Sequence, residues 1–161
     1  MPGANPLYYW DTCLFLSWLK DEERPSGEMD GVREIIDRQR KRDCRIMTSV
    51  ITGVEVLQAK IPAGVDTMFT ALMKRVARVG VDAKVAQIAH DIRNHYAQAG
   101  KKLATPDALH LATAIIYRAD EFHTFDGDDL IPLSGNVAGH KLVICKPVAK
   151  RPGLDLRQPK S

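Results

Sequence analysis

The chain has little that would place it in a specialised class. Its 161 residues hold three cysteines, Cys13, Cys44 and Cys145. They are odd in number and scattered, with no C-x-x-C or histidine-paired spacing, so neither a disulfide framework nor a zinc site is indicated. Buried thiols are expected instead. No stretch approaches the roughly 20 consecutive apolar residues of a membrane span. The N-terminal MPGANPLYYWD lacks the basic region and small-residue cleavage site of a secretory signal, so a cytoplasmic protein is expected. No internal repeat or linker divides the chain.

What is present suits one soluble globular domain: 45% apolar and 27% charged residues on a chain long enough to bury a substantial core. The net charge of +3 is uneven. From Lys146 onward five basic residues (Lys146, Lys150, Arg151, Arg157, Lys160) stand against Asp155 alone, so the remainder is slightly acidic. With Pro147, Pro152 and Pro159 this tail reads as an extended segment able to touch phosphate or a partner. The RQRKR run at 38–42 ends a predicted helix, where cations complement the negative helix end.

Periodicity predicts strands alternating with helices. Residues 7–10 fit a buried strand feeding a helix over 12–20, followed by a helix over 31–43 and a strand over 44–49. A helix over 50–60, with Val50, Val54 and Leu57 on one face, ends at Ile61-Pro62. Helices over 64–76 and 83–99 flank a short strand, ARVGV, with Asp82 as an N-cap. TPDALHLATAIIYRA is expected to start with Thr105 as cap and Pro106 in the first helical position, burying Ala108, Leu111, Ala112 and Ile115. Strands over 121–125 and 141–146 complete an α/β layer with a mostly parallel sheet.

One aspartate interrupts the apolar run LYYWDTCLF, and burying an unpaired charge is costly. Four acids have such positions, each with an ordinary structural role open to it. Asp11 can cap the helix after the first strand. Glu55 lies between Val54 and Val56 near an apolar helical face, Asp107 sits in a first turn where the helix dipole favours a carboxylate, and Asp126 precedes Gly127 in a turn pair. Their shared placement says more. In open α/β sheets ligands bind beyond the carboxyl ends of the strands. Asp11 and Asp126 each follow a predicted strand, and helices starting at that edge bring Glu55 and Asp107 towards it. Two carboxylates about 4 Å apart repel by roughly 4 kcal/mol at an effective dielectric near 20, so such a cluster calls for protons or cations. A carboxylate-only site suits a hard ion such as Mg²⁺ or Mn²⁺. The five histidines are read as packing or surface residues, His110 included, and Tyr8 and Trp10 as core.

The segments YYWDTCLFL, TSVITGVEVL, TPDALHLATAI and FHTFDGDDL together resemble, in order and spacing, the four acidic segments of the PIN-domain family over roughly residues 7–145. In one departure, Cys13 stands where the family often has Ser, Thr or Asn. The resemblance implies a Rossmann-like three-layer α/β fold, a central mostly parallel sheet flanked by helices, with a nuclease domain over 1–146 and a basic Pro-rich extension over 147–161. It also implies a Mg²⁺- or Mn²⁺-dependent ribonuclease in which Asp11, Glu55, Asp107 and Asp126 hold metal, with Asp128 the second choice for the last ligand. It makes the chain a candidate for the toxin half of a toxin–antitoxin pair of the VapC type, with an RNA substrate and a protein antitoxin as partners; a homodimer is also expected. A silent PIN-like module that binds RNA or protein is the main rival. Aspartate-nucleophile phosphatases and receiver domains fit less well: DTCLF lacks a second acid, and no phosphoacceptor follows a middle strand.

Overall fold

A computed structural model of the chain describes residues 5–21, 23–24, 27–58 and 64–149. The predicted helix stop at Ile61-Pro62 and the tail beyond residue 149 lie outside them. β1 (Leu7–Trp10), α1 (Thr12–Leu19), α2 (Glu28–Arg40), β2 (Arg45–Ser49), α3 (Ile51–Gln58), α4 (Asp66–Met73), β3 (Val76–Val79), α5 (Ala83–Gln98), α6 (Thr105–Ile116), β4 (Glu121–His123) and β5 (Ile144–Cys145) follow one another, with a 3₁₀ turn at Ile131–Leu133. The five strands form one sheet in the order β3-β2-β1-β4-β5. All four pairings are parallel.

Strand alternation divides the core. Tyr8 and Trp10 point to the α1, α2 and α4 side, where Leu14, Phe15, Trp18, Val32, Ile35 and Ile36 pack. Tyr9, between them, points to α5 and α6 and joins Val85, Ile92, Ala108, Leu111 and Phe122. A two-residue period along one short strand thus serves both layers, as a sheet covered on both faces requires.

Local chemistry sets several boundaries. Asp82 caps α5 by accepting from the Val85 amide at 2.9 Å, as predicted. α6 begins otherwise than predicted: Ala104 is the N-cap, and Thr105 is already helical and makes no capping bond. Ala104, extended at φ −65° and ψ 146°, makes the turn into the helix in its place. Val50, just before α3, and Val54 within it face outward, 46% and 58% exposed, while Thr52 and Val56 face in. Thr48 Oγ1 donates to the Trp10 carbonyl at 2.8 Å and lies 2.6 Å from Thr52 Oγ1, so polar bonding sets the rotation of α3 about its axis.

Gly31 of α2 packs on the chain just after β5. A Cβ there would run into the Pro147 carbonyl and stand 2.9 Å from the Val148 amide nitrogen. Alanine ordinarily stabilises a helix interior by about 0.5–1 kcal/mol over glycine, but overpacking against rigid backbone costs about 1–3 kcal/mol. Gly31→Ala is therefore expected to lower the thermal midpoint by roughly 3–6 °C at the 2–4 °C per kcal/mol of a chain this size. A raised midpoint would show that residues 147–148 do not lie on α2.

Candidate active site at the carboxyl edge of the sheet

The chain builds the sheet outward from β1 through β2 to β3, then returns to β1's other side for β4 and β5. β1 and β4 therefore flank the point where the winding reverses, the place where open α/β sheets leave a crevice at the carboxyl ends of their strands. Asp11 follows β1 and the Asp126 turn follows β4.

Asp11 is the N-cap of α1. Its Oδ1 accepts from the Cys13 amide at 3.0 Å and from the Cys13 thiol at 2.6 Å. The structural role weighed for it in the sequence is real, yet the carboxyl is only 8% exposed. Burial raises its pKa, opposed by the bonds from Cys13 and Thr124. Burial and then the Asp11 charge in turn push the Cys13 thiol well above its ordinary value, so it is a neutral donor. Cys13 thus supplies two hydrogen bonds to Asp11, one from its amide and one from its thiol. Asp126 gathers its own turn, accepting from the Asp128 and Asp129 amides at 3.1 and 2.8 Å, while its amide donates to Thr124 Oγ1. Asp128 enters through its backbone, and its side chain is exposed.

Glu55 reaches the carboxyl edge from α3. Thr12 Oγ1 donates to its Oε1 at 2.7 Å, and His110 Nε2 lies 2.6 Å from the same oxygen. His110 is buried, 2% exposed, and its Nδ1 is 2.5 Å from Tyr9 OH. The Tyr9 hydroxyl already accepts the Ser49 amide at 3.1 Å. The simplest proton arrangement runs one way: Ser49 N–H to Tyr9, Tyr9 O–H to His110 Nδ1, His110 Nε2–H to Glu55. Burial alone would raise Glu55, but the bonds from His110 and Thr12 hold it below its ordinary value. His110, set aside as a packing residue, is both buried and joined to the acidic site. Its position one helical turn after Asp107 was the available signal.

Asp107 rises from the first turn of α6. Its pKa is pushed from 3.8 up to about 6, first by burial and then by Asp11, with Asp126 and Glu55 adding to the rise and His110 opposing it. The other three acids therefore all act on the Asp107 carboxyl. Among the described residues, the one set of three possible metal-ligand atoms within 4.8 Å of one another lies elsewhere: Glu121, His123 and Cys145. That set is satisfied internally. Trp10 Nε1 donates to His123 Nδ1 at 3.2 Å, which leaves the proton on Nε2, facing Glu121 Oε1 at 3.2 Å. The Cys145 thiol donates to the same oxygen at 3.3 Å and is pushed up to about 12 by burial and Glu121. A metal would need Nε2 stripped of its proton and the thiol ionised. The acids at the carboxyl edge fit a hard ion better: they are oxygen donors with no lysine or arginine salt bridge among the described residues, and Mg²⁺ keeps several waters while taking one or two carboxylates directly.

The sequence pattern described as PIN domain matches residues 8–131, and the chain belongs to the PIN-domain family. PIN domains are generally nucleases and typically use divalent metals. Among solved structures the chain is similar to VapBC2 from Rickettsia felis bound to a DNA fragment from its promoter, at 17% identity and a TM-score of 0.65, covering 86% of this chain and 98% of that one. It is similar also to DNA-bound VapBC from Salmonella typhimurium (16%, TM-score 0.63, 86% and 98%) and to a toxin-antitoxin complex from Klebsiella pneumoniae (20%, TM-score 0.58, 84% and 99%). At these identities the likeness is one of fold. No curated protein sequence matches the chain.

A carboxyl whose folded pKa is raised binds its proton more tightly when folded, so stability falls as pH rises through the window from 3.8 to about 6 and stays lower above it. In metal-free buffer at neutral pH, Asp107→Asn is expected to melt about 2–4 °C above wild type, the shift given by about 1 kcal/mol once solvent screening of a half-buried group is allowed for. The gap closes below pH 3.8, where the wild-type carboxyl is protonated. Parallel melting curves across that range would show that the four acids do not interact.

Proposed function

We propose that this chain is a divalent-metal-dependent endoribonuclease and the toxin of a toxin–antitoxin pair. The observation that carries the reading is the raised Asp107 carboxyl, whose causes after burial include the other three acids. In this reading Asp11, Glu55, Asp107 and Asp126 hold Mg²⁺ or Mn²⁺, with Asp128 as an auxiliary donor at the rim. Residues 1–146 form the nuclease domain and 147–161 its extension. When bound, the ion neutralises charge on the phosphoryl oxygen and lowers the pKa of a water enough to give a nucleophile at neutral pH. The chain's own contribution is orientation. Cys13 and Thr124 fix Asp11, the Asp128 and Asp129 amides fix Asp126, and His110 with Thr12 loads Glu55 Oε1, while Oε2 takes no hydrogen bond among the described residues.

The toxin assignment draws on solved structures of this fold that are themselves toxin-antitoxin complexes. A protein antitoxin and a second copy are the proposed partners, the exposed Val50, Val54 and Val81 offering apolar surface for the latter. The reading places the protein in the cytoplasm. No helix among the described residues is long and apolar enough to cross a membrane.

Labelled single-stranded and structured RNAs incubated with Mn²⁺ or Mg²⁺ are expected to be cut, with cutting lost in EDTA and in folded Asp11→Asn and Asp107→Asn proteins. Equal cutting by wild type and both variants would reject the assignment, and RNA binding without cutting would favour a silent module. His110→Ala is expected to raise the Mn²⁺ concentration needed for half-maximal activity by about 10–100-fold, the usual effect of removing a group that orients a metal ligand. His110→Gln, which keeps a donor, should recover part of it; an unchanged Mn²⁺ midpoint in both would leave His110 a purely structural residue.

A further inference from the structure

A nuclease of this kind must hold a polyanion over a pocket that is itself negative. The four acids cannot attract the strand, so its affinity has to come from cations beside them. Resting on the nuclease reading above, we infer that the basin between α5 and the 101–104 connection is a binding track for the phosphodiester backbone of the RNA on one side of the cut.

The basin has a volume of about 450 Å³ and is lined by His90, Arg93, Asn94, Lys101, Lys102 and Leu103 together with two small residues, with no acid among the lining. It adjoins the acidic pocket through two links. Lys101 Nζ donates to the Asp129 carbonyl at 3.1 Å, and the Asp129 amide donates to Asp126 Oδ1 at 2.8 Å. The connection itself runs from Lys101 into α6, which carries Asp107 in its first turn. The positive basin and the negative pocket therefore share a rim.

The cations are positioned and still have donors to give. Arg93 Nε donates to the Leu103 carbonyl at 3.0 Å, which anchors the guanidinium while its terminal nitrogens take no hydrogen bond among the described residues. That planar fork matches a phosphate's oxygens. Lys101 spends one of three donors on Asp129. Lys102 is exposed, with no hydrogen bond or ion pair among the described residues. Gly100, at φ +78°, makes the turn that folds the connection back against α5, a conformation other residues adopt at a cost. An open groove of one sign of charge is how proteins track a nucleic-acid backbone irrespective of sequence.

The test is binding of a labelled single-stranded RNA in EDTA, measured over a range of salt concentrations, for wild type, Lys102→Gln and Arg93→Gln/Lys102→Gln. Each lost phosphate contact reduces the slope of log affinity against log salt by about 0.7 for a single strand. The double variant is expected to lose about 1.4 and the single variant about 0.7. Lys102→Gln touches no structural bond, so it remains informative where Arg93→Gln loosens the connection. Wild-type slopes in both variants would overturn the track; if Mn²⁺-dependent cutting persists alongside them, the nuclease reading survives. Lowered slopes in a protein that cuts no RNA would reject the nuclease reading and retain the basin as an RNA-backbone site. Equally tight binding of polyglutamate of matched charge would overturn the assignment to nucleic acid.

Discussion

A buried Asp107 carboxyl with the charges of Asp11, Asp126 and Glu55 acting on it is the constraint on which the candidate site depends. Asp11 and Asp126 come from two connections, Glu55 and Asp107 from two helices, and the parallel sheet sets all four segments about one edge. Among the described residues no lysine or arginine forms a salt bridge with these acids. The fold supplies neutral donors, the Cys13 amide and thiol, the Thr12 hydroxyl, the backbone of the Asp126 turn, and it tolerates a raised Asp107. Such bonds orient the acids without cancelling their charge. Sites adapted to a function commonly retain such a local penalty, compensated by the rest of the core.

The compensation lies in the two layers that the sheet separates. Trp10 and Phe15 on one side, Tyr9, Phe122 and Leu111 on the other, are fully buried. Tyr9 also belongs to the site, because its ring stacks on Phe122 with centroids 5.0 Å apart while its hydroxyl links Ser49 to His110. Burial drives its pKa far above the ordinary value, so it remains a neutral donor in a polar chain running through an apolar layer. Packing and site geometry thus share residues. A change at Tyr9 would disturb core volume and Glu55 orientation together.

The two histidines on the sheet's flanks show how burial alone misleads. His110 and His123 are each 2% exposed, and each faces a glutamate. His110 spans from Tyr9 to a site acid on α3 and so couples three elements at the carboxyl edge. His123 lies within β4, stacked on Tyr8 at 4.7 Å and bonded by Trp10, and ends on Glu121 of its own strand. One acts on the pocket. The other closes a local network.

Much of this was legible along the chain. The strand–helix alternation, the Asp82 cap and the positions of Asp11 and Asp126 after strands and of Asp107 in a first turn depend on nearest neighbours and on periods of two and 3.6, which a single sequence carries. Where competing local choices exist, sequence falls short. Thr105 was a reasonable cap, but Ala104 before Thr105-Pro106 took that place. Val50 and Val54 form an apolar face, yet α3 turned it outward because Thr52 and Glu55 had polar partners inside. No local pattern announces the bond from His110 to Glu55 across 55 residues, or the contact of Lys101 with the Asp126 turn. Those depend on strand order, and strand order is settled by packing among distant segments. The residues themselves determined which chemistry the chain can do; only the folded sheet decided which of them meet.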